Sequence, residues 1–187
     1  MLEPSTPTRR LSEVSIAIAL AAVLSLLQIK LPHLIYGGSV SLHMLPLLLV
    51  SVRHGLRAGV AAGTAYGIVN FLLTPIFLHP IQLILDYPVA FGCLGTAVAF
   101  GRAPISTGRL AAGFSLACIF RYFSHAICGF VYFGHLAPEG TPAWSFSLGY
   151  NASYLLPETI LTLLVGLPIA RRLAIVGAPN RQTHHGD

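Results

Sequence analysis

Apolar stretches separated by short polar or Gly/Pro-rich segments dominate the hydropathy pattern of this chain. Five of them approach or exceed the length of a membrane-spanning helix: residues 11–29, 58–78, 82–101, 110–134 and 146–170. A helix rises ~1.5 Å per residue, and the hydrocarbon core of a bilayer is ~30 Å thick. A sixth stretch, residues 41–52, is too short to cross alone. We predict that it forms a partial span supported by the preceding loop.

The composition excludes an ordinary soluble domain. The chain of 187 residues is 55% hydrophobic and only 9% charged, whereas soluble domains carry about 25% charged residues. We therefore predict an all-α integral membrane protein, a six-transmembrane-helix bundle in a lipid bilayer. We expect a single domain over residues 1–175 and a polar C-terminal tail over residues 176–187.

Arginines flank the apolar stretches in a pattern that predicts the orientation of the bundle. With six spans, one side carries nine of them, namely Arg9, Arg10, Arg53, Arg57, Arg102, Arg109, Arg171, Arg172 and Arg181. The other side carries only Lys30. Because basic residues stay on the cytoplasmic side, both termini are predicted to be cytoplasmic. The basic residues form no cluster interleaved with aromatics, so we expect no nucleic-acid partner.

Small residues recur every four positions in two of the predicted helices. Gly59, Gly63 and Gly67 form a G-x-x-x-G-x-x-x-G series, which is typical of a close contact between membrane helices. Ala17 and Ala21 leave a smooth strip on the first helix. Two interpretations of that strip stand side by side: packing within the same bundle, and docking of a partner protein.

No motif typical of catalysis occurs, so we expect neither an enzyme nor a bound cofactor. Cys93, Cys118 and Cys128 lie in apolar stretches without C-x-x-C spacing, and they predict small core residues rather than a metal site. The chain has no Walker A sequence, so ATP-driven transport would need a partner chain.

Costly polar groups lie inside the last two apolar stretches. Arg121 and His125 are four residues apart, so they share one helix face, as do Tyr150, Tyr154 and Glu158. Ionisable groups within hydrocarbon usually pair with one another or mark a functional site. One interpretation of Arg121 and Glu158 is therefore a structural salt bridge between the two helices.

The predicted topology brings polar groups of three helices to a similar depth on the outer side. Asp86 and Tyr87 begin the fourth span, His125 lies in the fifth, and Tyr150 and Asn151 lie in the sixth. We predict one outward-facing cavity with an acid, an imidazole, an amide and aromatic walls. Such a cavity suits a flat, cationic, nitrogen-bearing solute. The alternatives are a helix-capping role for Asp86 and an interfacial role for Trp144.

Three segments, residues 36–55, 85–95 and 121–158, resemble the thiamine-specific S-components of energy-coupling factor (ECF) transporters. The resemblance implies the six-helix S-component fold and high-affinity thiamine binding from outside, under a lid formed by the first loop. It implies a transmembrane coupling subunit and two ATPase subunits as partners, in the bacterial cell membrane. Ala17 and Ala21 match the motif by which S-components dock on the coupling subunit.

The resemblance also assigns ligand-contacting roles to individual residues. The family uses an acid–Tyr pair on the fourth helix, a His with a basic residue one turn earlier on the fifth, and an Asn after a Tyr on the sixth. In this chain the acid is Asp rather than Glu, and Tyr36 and Phe133 stand where tryptophans stack on the ligand. Phe146 stands where Tyr is expected. The candidate substrate-binding residues are Asp86, Tyr87, Arg121, His125, Phe133, Phe146, Tyr150, Asn151, Tyr36 and Trp144.

Thiamine binding is thus the predicted function. Three alternatives remain: an S-component for a pyrimidine or thiazole precursor or analogue, a small intramembrane enzyme using His125 and Asp86, and a scaffold whose polar pairs are purely structural.

Overall fold

Six principal helices form an all-helical bundle in a computed structural model of the chain. The structure describes residues 6–34, 37–101 and 106–176, and the side chains only up to residue 172. The helices are α1 (Pro7–Leu26), α2 (Met44–His54), α3 (Leu56–Leu73), α4 (Pro80–Val98), α5 (Thr107–Tyr132) and α6 (Ala143–Val176). The predicted six-helix architecture is confirmed. Arg171 and Arg172 belong to α6, and the predicted tail from residue 177 onwards lies outside the described residues.

Local sequence signals explain where several helices begin and end. Thr6 caps α1, because its hydroxyl accepts a hydrogen bond from the Arg9 amide at 3.3 Å. Ser106 caps α5 in the same way, with the Arg109 amide at 3.4 Å. Gly55 separates α2 from α3 with φ of 90°, a conformation that a side chain disfavours. This glycine keeps α2 short.

Membrane-spanning capacity differs among the helices. Within the described residues, α3, α4, α5 and α6 are long and apolar enough to cross a bilayer. The prediction that the second stretch is too short to span alone is confirmed, since α2 has 11 residues. The first turns of α1 carry Arg9, Arg10 and Glu13.

The middle of α4 departs from regular α-helix. A π-helical turn covers Leu85–Val89 and contains Pro88, and the last part, Cys93–Val98, is a 3₁₀-helix. Proline removes one backbone donor, and π-helical turns often occur at functional sites. Asp86 and Tyr87 lie in this turn, more than one turn inside the helix that starts at Pro80. The helix-capping interpretation of Asp86 is therefore wrong.

The glycines of α3 form the close helix contact that their spacing predicts. A Cβ added at Gly63 would overlap the Phe91 carbonyl group, and one at Gly67 would overlap the Tyr87 carbonyl group. A Cβ at Gly59 would lie 2.8 Å from the Gly95 Cα atom. The backbones of α3 and α4 therefore touch, which holds the π-helical turn against α3.

The docking interpretation of the Ala17–Ala21 strip needs correction at Ala21. Ala21 has no exposed surface and belongs to the main core cluster together with Met44 and Leu48. Ala17 is half-buried against the same cluster. Because α1 turns this strip towards α2 and α3, Ala21 is not available to a partner, and the structure supports packing within the bundle.

Candidate ligand-binding site

A cavity of about 470 Å³ lies between the first loop and the ends of four helices. Its walls come from residues 28–34 and 37–39 of the first loop, the end of α3 with residues 74–76, and the inward faces of α4, α5 and α6. The volume falls in the range of small-molecule sites, about 300–1,000 Å³.

Most of the predicted site residues line this one cavity. They are Asp86, Tyr87, Arg121, His125, Phe133, Phe146, Tyr150 and Asn151. Trp144 does not line it, because its side chain is 58% exposed. Tyr36 lies outside the described residues. The predicted convergence of three helices is thus seen in the structure, while the interfacial interpretation fits Trp144.

An acid–imidazole pair joins α4 to α5 at the cavity wall. The Asp86 Oδ1 atom lies 3.0 Å from the His125 Nδ1 atom. The Gln82 side-chain amide donates a hydrogen bond to Asp86 Oδ2, also at 3.0 Å. A carboxylate oxygen accepts, so we place the imidazole proton on Nδ1. His125 Nε2 then has no hydrogen-bonding partner among the described residues.

A second acid–base pair lies deeper and joins α5 to α6. The Arg121 guanidinium donates to Glu158 Oε2 at 2.8 Å, and Glu158 Oε1 lies 3.1 Å from His43 Nδ1. The Arg121 Cζ atom stands 4.5 Å from the centre of the Phe91 ring. His43 also contacts Ser41 and stacks near Tyr66. The predicted structural salt bridge is confirmed, although Arg121 still contributes surface to the cavity.

Asn151 is held in place by its neighbours on α6. The Tyr154 hydroxyl donates to Asn151 Oδ1 at 2.8 Å, and Asn151 Nδ2 donates to the Ser147 carbonyl oxygen at 2.9 Å. These contacts fix the side-chain amide before any ligand arrives, which lowers the entropy that binding must lose.

The first loop covers the cavity and is fastened to α6. The Tyr150 hydroxyl donates a hydrogen bond to the Gly37 carbonyl oxygen at 2.7 Å, and the His33 ring lies 2.8 Å from the Ser153 hydroxyl. Gly38 has φ of 96° and sits directly against the Tyr154 ring. A side chain at Gly38 would meet both obstacles, so the glycine lets the loop close over the site.

Three residues at the site were not predicted from the sequence. Asn70 and Phe91 line the cavity, and Gln82 is fully buried behind Asp86. Tyr154, which the sequence placed on one face with Tyr150, also lines the cavity. A signal for Gln82 exists in the sequence, because it lies four residues before Asp86 in an apolar stretch, so the two share a helix face. Phe91 carried no such signal, since an aromatic residue in an apolar stretch predicts only burial.

The charges at the cavity favour a cation. Arg121 is neutralised by Glu158. Among the described residues, Asp86 forms an ion pair with His125, whose ring is charged only when it is protonated. A carboxylate removed from water is costly unless it is compensated. The wall at Asp86 therefore favours a cationic or N–H-bearing ligand, surrounded by aromatic faces.

Comparison with known proteins shows similarity to thiamine transporters. The family described as Thiamine transporter protein (Thia_YuaJ) matches residues 11–175. Thiamine transporter ThiT of Bacillus subtilis (strain 168) is 37% identical, with 83% of this chain and 87% of that protein covered. Thiamine transporter ThiT of Lacticaseibacillus paracasei is 32% identical, with 79% and 81% covered.

Two solved structures share the fold. ThiT from Listeria monocytogenes has a TM-score of 0.75 at 24% identity, covering 87% of this chain and 93% of that one. The S component of a bacterial ECF transporter has a TM-score of 0.68 at 21% identity, covering 91% and 98%. The predicted S-component fold is thereby confirmed. Because the family match spans nearly all of the described chain and the two relatives cover about four-fifths of it, the chain belongs to the thiamine transporter protein family.

Proposed function

We propose that this chain binds thiamine in the cavity and acts as the substrate-binding subunit, the S-component, of an ECF-type transporter. The observation that carries the proposal is the Asp86–His125 pair in an aromatic cavity of about 470 Å³. The relatives are named thiamine transporters, not enzymes.

The chemistry of thiamine matches the groups that line the cavity. Its thiazolium ring carries a permanent positive charge, and its pyrimidine ring carries an amino group with two N–H donors. Asp86 supplies a carboxylate for the amino group. Phe133, Phe146 and Tyr150 supply aromatic faces on which a cationic ring can stack, each such contact contributing roughly 0.5–2 kcal/mol.

The orientation of the protein follows from its arginines. Arg9, Arg10, Arg53 and Arg57 lie at the end of the bundle that contains the α2–α3 junction, and the positive-inside rule assigns that end to the cytoplasm of a bacterial cell. The cavity then opens to the outside. Thiamine would enter there, and the first loop would close through the Tyr150–Gly37 contact.

Transport requires partners, because binding alone moves nothing across a membrane. We propose a transmembrane coupling subunit and two ATPase subunits, as the ECF-type fold suggests. Ala21 is buried in the core, so the surface that meets the coupling subunit would use other residues than this one.

Calorimetric titration of the purified protein in detergent tests the ligand. Thiamine, its pyrimidine half and its thiazole half would be titrated separately. Submicromolar binding of thiamine, with both halves much weaker, is the expected result. Tighter binding of one half would identify a precursor-specific subunit instead. No detectable binding of thiamine or of either half would contradict the proposal. Calorimetry is preferable to tryptophan fluorescence, because Trp144 is exposed and outside the cavity.

A further inference from the structure

Gln82 is a fully buried polar side chain whose hydrogen bonds connect Asp86 to the loop after α3. Its Nε2 atom donates to Asp86 Oδ2 at 3.0 Å and to the Ile76 carbonyl oxygen at 3.1 Å. Its Oε1 atom accepts from the Leu78 amide at 3.0 Å. Both N–H donors are thus used. The three partners also fix which end of the amide is nitrogen, since only this orientation satisfies them.

Gln82 is not part of the cavity surface. The lining includes Asp86, Thr74 and Ile76, which are the groups in front of it. Tyr87 adds two contacts to the same backbone, since its hydroxyl donates to the Thr74 carbonyl oxygen at 2.9 Å and accepts from the Ile76 amide at 3.0 Å. Gln82 therefore acts behind the wall and connects the carboxylate to the loop after α3.

The carboxylate of Asp86 is held from both sides. Gln82 occupies Oδ2, and His125 occupies Oδ1 at 3.0 Å. The Cys128 thiol is a further hydrogen-bonding neighbour of the carboxylate. A carboxylate has about four acceptor positions, so these contacts do not use all of them. The remaining positions can only accept a hydrogen bond, because an ionised carboxylate has no donor. A ring bearing an amino group can satisfy them, whereas a ring bearing a carbonyl oxygen at the same place would meet a second acceptor.

We propose that Gln82 is a positioning residue that aims the Asp86 carboxylate at the amino group of the ligand, and that it thereby sets the preference for an amino over an oxo ring. This inference rests on the proposed thiamine binding. It adds a residue that does not touch the ligand, and it assigns that residue a role in selectivity rather than in stability alone.

The test compares two ligands and four proteins by calorimetry in detergent. The ligands are thiamine and oxythiamine, the analogue in which an oxo group replaces the pyrimidine amino group. The proteins are the wild type, Gln82→Met, Gln82→Leu and Thr64→Val. Gln82→Met removes every side-chain hydrogen bond at similar volume. Gln82→Leu removes the same hydrogen bonds with a shorter, branched apolar side chain.

Thr64→Val is the matched control. The Thr64 hydroxyl donates to the Pro88 carbonyl oxygen at 3.5 Å, so it also links α3 to α4, but Thr64 does not line the cavity. Its replacement tests whether any weakened contact between these helices changes selectivity. We expect Thr64→Val to retain the wild-type ratio of the two affinities. Elution as a single species on a sizing column establishes folding of each variant.

In the wild type, thiamine should bind at least about tenfold more tightly than oxythiamine, because the oxo group leaves the acceptors unpaired. Both Gln82 variants should lose about tenfold or more in thiamine affinity, while oxythiamine affinity changes little, so the ratio moves towards one. If Gln82→Met does not fold, the affinity ratio of Gln82→Leu decides whether Gln82 has the positioning role.

An unchanged ratio in a folded Gln82 variant would overturn the positioning role while leaving thiamine binding in place. Equal affinities of the wild type for the two ligands would do the same. Absence of thiamine binding by the wild type is a different result, because it would overturn the proposed function together with this inference.

Discussion

α5 carries two buried basic side chains one turn apart, and each pairs with an acid on a different neighbouring helix. Arg121 pairs with Glu158 of α6, and their side chains are 4% and 0% exposed. His125 pairs with Asp86 of α4, and their side chains are 12% and 18% exposed. The first pair combines two fixed charges away from the cavity opening. The second combines a carboxylate with a titratable ring on the cavity wall.

The difference between the two pairs shows that some polar groups in an apolar bundle stabilise the fold and others are available to bind a ligand. Arg121 and Glu158 neutralise each other's charge, and His43 and Phe91 lie beside them, although Arg121 Nε and Glu158 Oε1 have no hydrogen-bond partner among the described residues. The charges of this pair therefore need no ligand to balance them. Asp86 keeps unused acceptor positions beside the cavity, and a ligand can complete them. A carboxylate whose charge is balanced only by a titratable ring at the cavity wall, rather than the mere presence of charge, distinguishes the binding pair.

Removal of one member of the deep pair should have the largest effect. Glu158→Ala leaves the Arg121 guanidinium buried without its countercharge, which costs about 3–5 kcal/mol. We expect a large fall in the thermal unfolding midpoint of the protein in detergent, or no folded protein at all. Glu139→Ala, at an exposed acid, is the control and should leave the midpoint unchanged.

The same pair can be tested by replacing both of its members. Arg121→Met combined with Glu158→Leu removes both charges, and a well-packed apolar pair is often as stable as the ion pair it replaces. The double variant should therefore unfold at a higher temperature than Glu158→Ala. A double variant no more stable than the single one would show that the pair does more than neutralise itself.

Loss of charge in the Asp86–His125 pair should weaken thiamine binding rather than the fold. Asp86→Asn keeps the shape of the side chain but removes its charge and one acceptor. We expect thiamine affinity to fall by about 1.5–3 kcal/mol, the range for a hydrogen bond to a charged group, with the unfolding midpoint nearly unchanged. Calorimetry and thermal unfolding of one preparation measure both. A midpoint that falls as far as that of Glu158→Ala would erase the distinction between the two pairs.

Loosening the first loop should have a smaller effect, mainly on rates. Tyr150→Phe removes the hydroxyl that donates to the Gly37 carbonyl oxygen, a contact of about 1 kcal/mol. We expect dissociation of thiamine to become several-fold faster in a competitive chase. Tyr122→Phe is the matched control. The Tyr122 hydroxyl donates to the Leu148 carbonyl oxygen at 3.1 Å, and Tyr122 does not line the cavity. Equal dissociation rates in both variants would argue against a fastened loop.

The hydropathy pattern predicted the helices well because a bilayer imposes length and apolarity on every span. The glycine spacing in α3 predicted a close helix contact, and the structure shows that the partner is α4. Topology then predicted the meeting of Asp86, His125 and Asn151, which line one cavity. These features follow from periodicity and span order, which a sequence carries directly.

Other features depend on which face of a helix meets a neighbour, and sequence periodicity does not resolve that. The strip at Ala17 and Ala21 fitted an inward and an outward face equally, and the structure turns Ala21 inwards. The π-helical turn at Leu85–Val89 shifts the register of α4, which no average period reveals. The spacing of Gln82 and Asp86 puts them on one helix face, but it does not reveal the hydrogen bonds of Gln82 to the Leu78 amide and the Ile76 carbonyl oxygen.

The aromatic wall gives the smallest expected effect and the one that should strengthen binding. Phe133 lines the cavity at the position where the resemblance to S-components implies a tryptophan. Tryptophan has the strongest cation–π attraction of the aromatic residues, so Phe133→Trp should raise thiamine affinity by about 0.5–1 kcal/mol. Phe130→Trp is the matched control, because Phe130 is exposed on the same helix and does not line the cavity. The affinity of Phe130→Trp should equal that of the wild type. A gain in neither variant, or a loss in Phe133→Trp, would show that the ring of the ligand does not stack at this position.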